Sequence, residues 1–148
     1  MIMPLPAGEG AGRTRRPTAL SYIPFIGIVA VIYLIVGIIS PGAMLGGLFT
    51  VTLFSGAEWT LRTAELFMIL GLLALLFELL KALRVSGHSA IDHMLSMIVF
   101  VGCLLCFLLW DVAATTGFLL LTIMSLVDVM AGFAVSLATA RRDITIEG

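Results

Sequence analysis

The sequence predicts an all-α, polytopic membrane protein: a bundle of four transmembrane helices with a short interfacial or re-entrant segment after the first. Three observations predict it: the composition, the recurrence of long apolar runs, and the placement of the basic residues. Of 148 residues, 61% are hydrophobic and 11% charged, and the mean hydropathy is +1.19. A soluble domain is about 45–50% apolar and about 25% charged. Apolar runs of about 18 residues or more match the hydrocarbon thickness of a bilayer. A net charge of -1 leaves no basic face for nucleic acid.

Residues 1–18 hold three Pro and three Gly without apolar periodicity, and read as a flexible arm. The run from Ala19 to Ser40 follows Arg13, Arg15 and Arg16. Its length, and the poor cleavage context of Ser40-Pro41-Gly42-Ala43-Met44 after it, favour a retained first helix over a signal peptide. Pro41 ends that helix because it has no N–H to continue the ladder. Ala43–Thr60 carries Gly46, Gly47, Ser55 and Gly56 ahead of Glu58-Trp59, and is expected to hold a short helix in the interface, with Trp59 at headgroup level. The second span is Leu61–Leu83, the third Ile91–Trp110 and the fourth Val112–Ala140, so residues 19–140 form the membrane domain and 141–148 a short tail. The connection between the third and fourth spans is short enough to require an antiparallel pair.

Four crossings put Arg13, Arg15, Arg16, Lys81, Arg84, Arg141 and Arg142 on one side, leaving Arg62 on the other with Glu58, Glu65 and Asp111. The positive-inside rule makes the first side cytoplasmic. The expected localisation is therefore multi-pass in the cell inner membrane, with both termini in the cytoplasm.

Few residues could carry chemistry. Glu58, Arg62 and Glu65 form a candidate ion-pair group at the outer interface, Glu65 lying three residues after Arg62. Glu78 shares a helical face with Gly71 and Ala74 and can be neutralised by Lys81 three residues on. Asp128 lies mid-helix, about 20 Å along the helix from Arg141 at 1.5 Å per residue, where an unpaired charge is expensive. With Ser125, Gly132 and Ser136 it forms a small, polar stripe suited to close packing, assembly or a proton route. His88 and His93 flank the middle turn; capping is the ordinary role there, and haem or quinone contact the alternative. Cys103 and Cys106, inside an apolar run with no second pair, read as core thiols. Tyr22, Phe25, Tyr33 and Trp110 suit interfacial or lipid-packing roles.

No nucleotide loop, metalloprotease helix or hydrolase elbow is present, so no catalytic residue, metal or cofactor is assigned. Short loops and small-residue faces favour a noncatalytic subunit that binds or stabilises a larger inner-membrane complex. Its expected partners are the lipid bilayer and other integral membrane subunits, or further copies of itself. The rivals are a homo-oligomeric proton-coupled transporter using Asp128 and Glu78, and a haem- or quinone-associated electron-transfer subunit.

Overall fold

Helix α1, Phe25–Ile39, starts behind Pro24, whose φ of -73° suits a helix entry, and stops before Pro41, where a 3-10 turn (Pro41–Leu45) reverses the chain. A hairpin of two strands follows, β1 (Gly47–Thr52) and β2 (Glu58–Arg62), and leads directly into α2, Thr63–Arg84. Helix α3 covers Ala90–Leu109; a 3-10 turn at Asp111–Ala113 then hands the chain to α4, Thr116–Ile144. The computed structural model describes residues 24–84 and 90–144, and within them the side chains of 24–82 and 93–137. The expected arm 1–18, its arginines, Tyr22 and His88 lie outside the described residues.

The four helices form a bundle that alternates in direction. α4 is its centre, packing extensively on both α2 and α3, while α1 packs mainly on α2. α1 and α3 barely meet, and an apolar groove of about 330 Å³ lies between them, lined by Pro24, Gly27, Ile28, Val31, Ile32 and Val99. Among the described residues two helices, over Thr63–Ala82 and Thr116–Leu137, are long and apolar enough to cross a membrane. Their outward faces expose Leu72, Leu76, Phe77, Ile123, Val127 and Phe133. Water would oppose so large an apolar exterior; lipid or protein would not.

The main core gathers around Tyr33, which is 1% exposed. Its ring packs edge-on against Phe67 at 5.4 Å and tilted against Phe118 at 5.6 Å, and its hydroxyl lies 2.7 Å from the Thr115 hydroxyl. Thr115 also accepts the Phe118 N–H at 3.2 Å, capping the start of α4. The expectation of a lipid-packing role for Tyr33 is thus corrected: a buried phenol needs a polar partner, and the α3–α4 connection supplies one. α2 and α4 approach closely at Gly71, where a Cβ would collide with the Leu121 side chain and come 3.1 Å from the Met124 sulfur.

The segment after α1 also departs from expectation. It is a β-hairpin rather than a helix. Phe49, Val51, Trp59 and Leu61 occupy one face and Thr50, Thr52, Glu58 and Thr60 the other, a period of two that competes with any helical reading. Thr50 and Thr60 face each other with hydroxyls 2.7 Å apart, and Gly56 closes the turn at φ +80°, open to glycine at no steric cost.

Candidate functional site

Glu78 comes from the last turns of α2, and its position answers a need of α1. Pro24 offers α1 no side-chain cap, so the first N–H groups of that helix lack partners. Glu78, 7% exposed, reaches across and accepts the Ile26 N–H through Oε1 at 3.4 Å. A carboxylate at a helix N-terminus also meets the positive end of the helix dipole. The other oxygen, Oε2, is buried with no hydrogen-bond partner in the structure.

Around Glu78 the bundle forms a pocket of about 50 Å³ at the end that carries Pro24. Lys81 enters it from α2, His93 and Ser96 from the first turns of α3, and Asp128, Gly132 and Ser136 from α4. Two acids distant in sequence therefore line one cavity, with a lysine and a histidine beside them. His93 lies against α4: its ring stacks on Phe133 at 6.1 Å and 28°, and a Cβ on Gly132 would come within 3.3 Å of Nδ1. That Nδ1 is also buried without a partner. Gly132 is what lets an imidazole fit between α3 and α4 at this level.

Other residues of the polar stripe serve their own helix. The Ser125 hydroxyl, 2% exposed, donates to the Thr122 carbonyl at 2.7 Å, and Thr122 donates to the Phe118 carbonyl at 3.0 Å. Ser136 donates to the Gly132 carbonyl at 3.0 Å. Such back-bonding satisfies hydroxyls inside an apolar environment. At the opposite end, Glu65 accepts the Arg62 main-chain N–H at 3.0 Å, the reach-back half of a capping box for α2. Glu58 and Arg62 stand on the exposed hairpin, paired in register with Thr52 and Gly47.

The sequence joins Asp128 with Gly132 in one stripe and with Glu78 in a possible proton route, but it ties neither Glu78 to α1 nor His93 to this group. The signal that could have joined Glu78 to α1 was Pro24 itself, which leaves that helix start without a cap. Nothing comparable announces His93, because which helix α3 packs on depends on tertiary structure. Among the described residues, no three His, Cys, Asp or Glu side chains are grouped to hold a metal ion, and Cys103 and Cys106 are unbridged. The arrangement offers hydrogen-bond acceptors and charge. No family model, curated protein or solved structure matches the chain.

Proposed function

We propose that the chain is a small noncatalytic integral membrane subunit, crossing the inner membrane four times with cytoplasmic termini, that binds and stabilises a larger membrane assembly. The β-hairpin is the observation that carries this reading. A lone two-stranded hairpin is marginal in water, and among the described residues this one has no further strand at either edge and leaves Phe49, Val51 and Trp59 about half exposed on one face. Such a surface is completed by contact with another molecule. Extraction in mild detergent at native abundance, followed by crosslinking, tests the proposal: the expected result is a discrete complex containing other membrane proteins. Recovery of the chain alone or only self-associated counts against it.

The topology has its own test. In a background without Cys103 and Cys106, Leu48→Cys on the hairpin and Ala90→Cys at the start of α3 should label from opposite sides of the membrane. Labelling of both from one side would sink the four-crossing arrangement.

The pocket favours a second reading, proton-coupled transport, because Glu78 and Asp128 line the same cavity. Substitutions at Asp128 separate the two. An assembly residue tolerates Asn, which keeps size and hydrogen-bonding atoms, better than Leu, whereas a proton carrier fails with both. Complex recovery is expected to persist in Asp128→Asn and to fall severalfold in Asp128→Leu. Intact complexes in both variants, with proton-driven flux in vesicles only from the parent, would move Asp128 into a transport mechanism.

A further inference from the structure

We propose that the Glu78 pocket and the adjoining α1–α3 groove together bind one phospholipid whose headgroup carries a primary ammonium, the ammonium entering the pocket and an acyl chain lying in the groove. The inference rests on the membrane placement proposed above and is independent of the subunit reading.

The two cavities share Pro24, so a polar chamber opens beside a wholly apolar channel. From Pro24 to Ile32 the groove runs about 12 Å along α1 at 1.5 Å per residue, enough for a substantial part of an acyl chain. Its weak α1–α3 contact leaves it open to the bundle exterior, where a lipid would arrive. In the four-crossing orientation the pocket lies toward the cytoplasmic headgroups and the groove runs from it into hydrocarbon.

Charge and hydrogen bonding select the headgroup. Among the described side chains that line the pocket, the two carboxyl groups of Glu78 and Asp128 face the one ammonium of Lys81. An ionised Glu78 Oε2 can only accept, so the partner it lacks is a donor. The pocket, about 50 Å³, has room for an ammonium group. Lys81, about 4.5 Å along α2 from Glu78, offers a cation to the phosphate of a headgroup whose ammonium turns inward toward Glu78.

Choline discriminates sharply, because it carries the same charge without any N–H. The purified full-length chain is offered equal amounts of ethanolamine, choline and glycerol phospholipids with matched acyl chains, and retained lipid is read by native mass spectrometry. Ethanolamine lipid should be retained about tenfold over choline lipid, the effect of one charge-assisted hydrogen bond. That ratio should fall to about one in Glu78→Gln, a variant of near-parental shape, while Asp128→Asn should lower retention of ethanolamine and choline lipids alike. Val31→Trp, filling the groove, should lower retention of every lipid severalfold, and soluble phosphoethanolamine should fail to displace the bound lipid. Equal retention of ethanolamine and choline lipids, preference for the glycerol lipid, an unchanged ratio in Glu78→Gln, or ready displacement by the soluble headgroup would each overturn the site. Release of the chain from membranes by alkaline carbonate would instead overturn the membrane placement. A chain that stays in the membrane without lipid preference would refute the lipid site alone.

Discussion

Gly71→Leu is expected to cost the bundle about 3 kcal/mol or more and to abolish recovery of a native complex. A Cβ at position 71 already collides with the Leu121 side chain, which is fully buried in the core, and sits 3.1 Å from the Met124 sulfur. A surface leucine would swing aside, but Leu121 is enclosed by its neighbours, so α2 and α4 must separate. Separation also loosens the pocket, since Glu78 and Asp128 lie on those two helices. Thermal unfolding in detergent measures the loss, and Gly71→Ala should show a smaller one in the same direction. A parental midpoint for Gly71→Leu would mean that α2 and α4 do not meet as described.

Tyr33→Ala is expected to destabilise by about 3–5 kcal/mol, the range for removing a fully buried aromatic ring. Its ring touches Phe67 of α2 and Phe118 of α4 while belonging to α1, so its removal leaves a cavity where three helices converge. Tyr33→Phe isolates the hydroxyl. It should cost only about 1 kcal/mol, because Thr115 retains the Phe118 N–H as a partner. Denaturant titration of both variants checks the ratio. A Phe variant as damaging as Ala would transfer the dominant role from packing to the Thr115 contact.

Helix positions were readable because apolar runs, proline and charge mark their ends: the expected third span, Ile91–Trp110, and the observed Ala90–Leu109 differ by one residue at each end. The hairpin was misread for a physical reason. Its glycines argue against a crossing without distinguishing a helix from a hairpin, while Phe49-Thr50-Val51-Thr52 and Trp59-Thr60-Leu61 carry an alternation that belongs to strands. Tyr33 was assigned outward because an aromatic in an apolar run looks the same whether lipid or protein faces it. Depth along a helix follows from counting residues, but rotation about its axis depends on neighbours. For that reason the cavity that Asp128 and Glu78 share appeared only with the packing of α2 against α4.

The tie between Tyr33 and Thr115 spans 82 residues and imposes an order in time. The chain grows from its N-terminus at about 5–20 residues per second, so α1 waits roughly 4–16 s after Tyr33 is made before Thr115 exists. Its other long-range polar tie, from the Ile26 N–H to Glu78, needs 52 further residues. Among the described helices α1 thus waits longest between its own synthesis and that of its partners, and through that interval its unfilled face is open to any other helix nearby.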